Sequence, residues 1–165
     1  MKVLVTGNAG SGKSTLSKKL AAASGLPWYG LDAIVWQERW RKTPGHMKKQ
    51  RLDRLIAQPD WVIDGVSSEL QAAADVIIFL DVPRRVCFWR VMRRNYRYLF
   101  SSRPGLPANC PEILILPRLI KIIWRFPSAV RPKILAEKAR RNKQQFIHIA
   151  TKTDLQQLSH RQFHS

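Results

Sequence analysis

Short apolar runs punctuate this chain, and most of them end at Gly or Asp. Val3-Leu4-Val5 marks residues 2–6 as a buried strand, residues 27–31 give a second, and Trp61-Val62-Ile63-Asp64 a third. Val76-Ile77-Ile78-Phe79-Leu80 is uninterrupted, which suits a central strand covered on both faces of a parallel sheet. Residues 146–150 supply a fifth strand. Between these runs the apolar period becomes helical. Lys13–Ser24 carries Leu16, Leu20 and Ala23 on one stripe and is stopped by Gly25 and Pro27. Residues 47–58 read as helix, as do residues 83 to about 100, with Pro83 at the first turn. Residues 112–126 and 133–145 read as helices broken by Pro117, Pro127 and Pro132. Residues 36–46 read as a loop around the turn signal Pro44-Gly45, and residues 101–111 as a Gly/Pro-rich loop.

Strands alternating with helices predict an α/β fold of three layers, α/β/α, on a parallel sheet with right-handed crossovers. The length suits one domain over residues 1–165. Ligands of such sheets bind beyond the carboxyl ends of the strands. Three features fall there: a Gly-rich loop after the first strand, Asp32 after the second and Asp64 after the third.

That loop reads Gly7-Asn8-Ala9-Gly10-Ser11-Gly12-Lys13-Ser14, followed by Thr15, and fits G-x-x-x-x-G-K-S/T. Its glycines permit backbone angles that aim successive N–H groups at one anion, and the helix that starts there adds its positive N-terminal dipole. In such a loop Lys13 reaches the β- and γ-phosphates and the Ser14 hydroxyl ligates Mg²⁺. Residues 7–15 are therefore the expected ATP-binding set.

Charge adds a second theme. The chain has 29 Lys+Arg against 11 Asp+Glu, a formal +18. Residues 1–80 hold 11 basic and 7 acidic side chains, a net +4, whereas residues 81–165 hold 18 and 4, a net +14. The second half favours phosphorylated partners, including nonspecific contact with nucleic acid, unless it is simply a solvated basic face. Cys87 and Cys110 are the only cysteines and form no C-x-x-C, so free thiols in a cytoplasmic protein are expected. No signal-peptide core precedes the loop, and no apolar run approaches the ~18 residues of a membrane span.

The arginines of the helix at residues 83–100 are not scattered. At about 100° per residue, Arg90, Arg93, Arg94 and Arg97 share an arc of about 100°, while Phe88, Trp89, Met92, Tyr96, Leu99 and Phe100 lie opposite. Like charges on one face repel unless an anion offsets them, and the planar guanidinium binds phosphate bidentately. The segment Ile113–Phe126 is apolar with Arg118, Lys121 and Arg125 interspersed, as in a lid or packing helix. Arg103, Arg118, Arg125 and Arg131 are candidates to close on phosphates.

The segments GNAGSGKSTL, LDAIVW, WVIDG, IIFLDVPRRVCFWRVMRR, CPE and RPKIL together resemble the small adenylate-kinase-like ATPases known as DNA topology modulation (FlaR-related) proteins, over most of the chain. The resemblance implies a P-loop NTPase of nucleoside-monophosphate-kinase-like fold, with a five-stranded sheet in the order 2-3-1-4-5 and a mobile lid at roughly residues 95–132. Arg90 and Arg94 match the arginine pair, four apart, at the lid base of adenylate kinases. Asp64-Gly65 matches their Asp-Gly after strand three, and a carboxylate there supports the Mg²⁺ shell. Val66-Ser67 departs from the Pro-Arg that grips the acceptor nucleotide in those enzymes. In kinases for shikimate or gluconate an acid after strand two meets the acceptor, and Asp32 stands there, where it could accept a proton from a hydroxyl.

Blander roles stay open from sequence: a strand-end turn for Asp64, an N-cap of residues 33–36 for Asp32, and solvated surface for the arginine face. Thr151-Lys152-Thr153-Asp154 also resembles the guanine-reading N/T-K-x-D of GTPases, although Asp154 equally suits the cap of a last short helix. The expected function is transfer of the ATP γ-phosphate to a small-molecule or nucleotide acceptor, with Lys13, Asp32, Asp64, Arg90 and Arg94 in catalysis and Ser14 and Asp64 at the metal. The alternative is a nucleic-acid-binding ATPase or a regulatory nucleotide-binding protein.

Overall fold

The computed structural model describes residues 1–98, 112–142, 145–151 and 153–156. In chain order the elements are β1 (Lys2–Gly7), α1 (Lys13–Ser24), β2 (Trp28–Gly30), α2 (Leu31–Val35), β3 (Trp36–Gln37), a 3₁₀ turn (Glu38–Trp40), β4 (Arg41–Lys42) and α3 (Gly45–Ile56). There follow β5 (Trp61–Asp64), α4 (Ser68–Ala73), β6 (Val76–Leu80), α5 (Arg84–Tyr98), α6 (Glu112–Ala129), α7 (Arg131–Arg140) and β7 (Phe146–Ile149).

The predicted strands pair in parallel in the spatial order β2-β5-β1-β6-β7. Counted along this sheet alone, that is the expected 2-3-1-4-5. β1 is central, with Val5 opposite Asp64 of β5 and Gly7 opposite Leu80 of β6. Gly30 of β2 also lies opposite Asp64. The register therefore delivers the Gly-rich loop, Asp64 and the end of β2 to one edge of the sheet.

Strand side chains alternate between faces, and the sequence supplies an apolar residue to both. Leu4, Trp61, Ile63, Ile77 and Phe79 face one layer, where they pack with Leu52 of α3, Leu70 of α4, Phe126 of α6 and Ile134 of α7. Val3, Val5, Val62, Ile78 and Leu80 face the other, with Leu20 and Ala21 of α1. Trp61 and Phe79 are completely buried, and truncating such a side chain to Ala costs about 3–5 kcal/mol. A third cluster, Cys87 and Val91 of α5 with Ile123 of α6, joins those two helices beneath Ala9 of the loop.

Several expectations change. Residues 36–46 hold the antiparallel ribbon β3–β4, because Trp36 and Trp40 meet edge to face at 5.5 Å and fold the segment on itself. α4 is an element that periodicity over so few residues does not reveal; Ser67 caps it by accepting from the Leu70 N–H at 3.4 Å. α6 runs through Pro117 and Pro127 rather than breaking. Burial of Ile115, Ile123 and Phe126 holds it against the core. α7 ends at Arg140 rather than at residue 145, since the extended Arg141 donates to the carbonyls of Gln71 and Ala74, both at 2.6 Å. The expected lid lies partly at residues 99–111, outside the described residues. Its described remainder is the end of α5, the packed helix α6 and the start of α7. Among the described residues no helix is long and apolar enough to cross a membrane.

Gly65 follows β5 at a point where a Cβ would lie 2.5 Å from Leu31 Cβ. Gly65→Ala should therefore overpack the contact between β5 and α2 and cost about 1–3 kcal/mol. Urea unfolding checks this; an unchanged midpoint would show that α2 yields freely.

Candidate active site

Between Gly7 and Lys13 the chain turns through the carboxyl edge of the sheet. Gly10 has φ 79°, and a Cβ there would lie 2.5 Å from the Cys87 carbonyl oxygen and 2.8 Å from Val91 Cγ2, so the loop lies backbone to backbone on α5. Gly12 has φ 101° and for the opposite reason leaves room: a Cβ there would meet Arg90 Nη1 at 4.0 Å as its nearest neighbour. Gly12 is also the N-cap of α1, which has no side-chain cap and no acid in its first turn. An N-terminus left without its own carboxylate suits an external anion.

Inside the loop the Asn8 carbonyl accepts from Ser11 N–H at 3.2 Å and from Lys13 Nζ at 2.7 Å. Asn8 Oδ1 accepts from Ala9 N–H at 2.8 Å. Ser14 Oγ donates to Asp64 Oδ2, across the pairing of β1 with β5. Asp64 is 8% exposed, and Gly30 passes so close that a Cβ would sit 3.3 Å from its Oδ1. From the other side Arg90 Nη1 donates to the Ser11 carbonyl at 3.1 Å. The structure thus brings residues 7–14, Asp64 and Arg90 together, and Thr15 follows in the first turn of α1. Burial pushes the Cys87 thiol up, and the charges of Lys13 and Arg90 only partly offset this.

The other predicted residues lie on α2, α5 and α6 and in the turn after β7. Asp32 lies exposed in the first turn of α2, whose N-cap is Gly30, so it is not the cap of that helix. Of the arginine face, Arg94 is half-buried and Arg93 exposed; the Arg97 side chain lies outside the described residues. The packed stripe of α5 is Cys87, Val91 and Asn95, which flanks the Arg90 and Arg94 side of the arc. The aromatic side instead faces outward: Trp89 is 72% exposed and Tyr96 83%. Arg118 lies over the Trp36 ring at 4.8 Å, Arg125 is exposed, and Arg103 lies outside the described residues. The Asp154 carboxylate accepts from the N–H groups of Thr151 at 2.8 Å and Ala150 at 3.0 Å, while Thr151 Oγ1 accepts from Asp154 N–H at 3.1 Å. That is a reciprocal helix cap. The bonds from Thr151, then Ala150, hold the carboxyl below its usual range.

A cluster that sequence reasoning missed lies at the end of β6. Asp81 receives Arg131 Nε at 2.9 Å and Nη2 at 2.8 Å, with His148 Nε2 at 3.0 Å. These partners are 50 and 67 residues away in sequence, and no spacing announces them. A groove along α3 lined by His46, Lys49, Gln50, Asp53 and Arg54 shares no residue with the loop.

Ser14 Oγ and Asp64 Oδ2, side by side at the loop, fit Mg²⁺, which takes one or two protein oxygens and completes its shell with phosphate and water. Among the described residues no group of three His, Cys, Asp or Glu side chains could hold a metal unaided. Sheet order, loop and hydroxyl–carboxylate pair together define a P-loop fold.

Comparison with solved structures agrees. The chain matches the shikimate kinase of Bacteroides thetaiotaomicron at a TM-score of 0.53 and 19% identity, covering 98% of this chain and 95% of that one. It matches the shikimate kinase of Acinetobacter baumannii, in complex with shikimate, at 0.52 and 17%, covering 99% and 95%. A sugar kinase from Janibacter sp. HTCC2649 matches at 0.52 and 16%, covering 97% and 90%. The likeness at these identities is one of fold: the chain has the three-layer fold of small P-loop kinases. No protein-family model matches the sequence, and no curated protein does.

Burial alone would raise the Asp81 pKa, but the hydrogen bonds from Arg131 and His148 outweigh it and hold the carboxyl below its usual range. A depressed folded pKa contributes stability above the unfolded value of about 3.9 and loses it as pH falls through the folded value. Asp81→Asn should therefore lower Tm at pH 7, and its deficit against the wild type should shrink below about pH 4. Thermal unfolding across pH 3–7 reads this; a deficit independent of pH would mean that the charge contributes nothing.

Proposed function

We propose that this protein is an ATP- and Mg²⁺-dependent phosphotransferase that moves the γ-phosphoryl group to an oxygen of a small-molecule acceptor, leaving ADP. The observation that carries this reading is the pairing of Ser14 Oγ with Asp64 at the uncapped N-terminus of α1, flanked by Arg90. Phosphoryl transfer asks little covalent chemistry of a protein; it asks for positioning and for positive charge around the transferring group. The first-turn N–H groups of α1 cradle the phosphates. Lys13 leaves the Asn8 carbonyl, swings onto them and balances the charge that develops. Ser14 and Asp64 hold Mg²⁺, which when bound neutralises and orients the phosphate oxygens. Arg90 fixes the loop and faces its open side; Arg94, half-buried on the same side of α5, supports that charge.

Asp32 follows β2 on the acceptor side and takes the proton of the acceptor hydroxyl in this reading. Ser67, where the adenylate kinases have Arg, is engaged as the cap of α4. This favours an acceptor other than a nucleoside monophosphate and fits a hydroxylated small molecule. Membership of the DNA topology modulation (FlaR-related) group within this class rests on the sequence segments. The fold likeness lends no support to the nucleic-acid-binding alternative, and the capping role of Asp154 speaks against guanine reading.

Lys13→Ala should weaken Mg·ATP binding by roughly 10- to 100-fold, the worth of a charge-assisted hydrogen bond. Arg90→Ala should weaken it by about tenfold, whereas Arg85→Ala, on the exposed side of α5, should bind as the wild type does. Calorimetry with both nucleotides decides the reading: undiminished binding by Lys13→Ala, or clear preference for GTP over ATP, would overturn it.

A further inference from the structure

Asn8 occupies a position that the P-loop pattern leaves open, yet it is 2% exposed and every polar group of its side chain is engaged. Its Nδ2 donates to the carbonyl of Ile123, in the middle of α6, at 3.1 Å. The sequence explains why that carbonyl is available. In an α-helix the carbonyl of residue i accepts from the N–H of residue i+4. For Ile123 that residue is Pro127, which has no N–H and whose ring crowds the same carbonyl. Ile123 is fully buried, so its carbonyl lacks both the helical donor and water. The Asn8 amide supplies the donor from 115 residues away in sequence.

We propose that Asn8 is a positioning residue that fastens the phosphate loop to α6 through the carbonyl freed by Pro127, so that filling the loop and ordering α6 are coupled. The same residue holds Lys13 at its own carbonyl and Ala9 at its side-chain oxygen. A displacement of α6 is thereby passed to the lysine within one residue. The link joins neutral groups, so salt does not weaken it as it would an ion pair. Ala9, packed against the cluster of Cys87, Val91 and Ile123, gives the loop a second, apolar hold on the same two helices. The link stands whether or not the chain transfers phosphate; its effect on ATP affinity rests on the function proposed above.

The test is a double-mutant cycle of Asn8→Asp and Pro127→Ala, with Asn8→Ala in reserve should the aspartate variant fail to fold. Asn8→Asp keeps an oxygen for Ala9 N–H and removes the donor to Ile123. Pro127→Ala returns a helical donor to that carbonyl. Without nucleotide, Asn8→Asp should lower Tm by at least about 2–4 °C, and by less than half as much in the Pro127→Ala background. Equal effects in both backgrounds would overturn the link. With Mg·ATP, hydrogen exchange in residues 114–129 should slow in the wild type and stay unchanged in Asn8→Asp, whose affinity should fall about fivefold. A wild type that binds Mg·ATP without any change in that segment would overturn the coupling. A wild type that does not bind Mg·ATP would sink the phosphotransferase reading and the coupling with it. The thermal cycle would then still decide the link by itself.

Discussion

Between Gly10 and the Cys87 carbonyl there is no room for a methyl group. The loop and α5 therefore touch through their backbones, and that contact sets the height at which α5 crosses the end of the sheet. From there Arg90 reaches the Ser11 carbonyl, and Cys87 and Val91 offer α6 the surface on which Ile123 is buried. The parallel register acts from the other side: pairing of Val5 with Asp64 brings the carboxylate to Ser14. A site built in this way depends on backbone spacing first and on side-chain identity second.

Charge is distributed around this contact rather than in it. α5 buries an uncharged stripe, Cys87, Val91 and Asn95, whereas Arg84, Arg85, Arg90 and Arg93 are exposed. Some basic side chains find local partners: Arg131 pairs with Asp81, Arg84 lies over the Trp124 ring at 4.9 Å and Arg118 over Trp36. Contacts with aromatic faces stabilise a cation without neutralising it. With 18 basic side chains against 4 acidic ones, the second half of the chain stays strongly positive whatever pairs form within it.

The loop was legible because its chemistry is written in consecutive residues, and the strands because their apolar runs are continuous. Asp64 was legible as a strand-end acid, though its bond to Ser14 required β5 to lie beside β1. The arginine arc followed from helical geometry. Which of its edges packs did not, because Trp89 and Tyr96 look like core residues until α6 takes the neighbouring stripe. Pro117 and Pro127 read as breaks because the penalty for a missing N–H is local. Its relief at Ile123 comes from Asn8, at the other end of the chain.

By itself the sequence determined the class of fold, the five strands of the parallel sheet and the Gly-rich loop, since each rests on interactions between residues close along the chain. Tertiary structure decided the rest: Ser14 with Asp64, Asp81 with Arg131 and His148, Asn8 with Ile123, and Asp32 in an exposed helical turn. The physical reason is the directionality of hydrogen bonds and ion pairs. A carboxylate, amide or guanidinium in a sequence states what it can bond, but only the packing of apolar faces states what stands within about 3 Å of it.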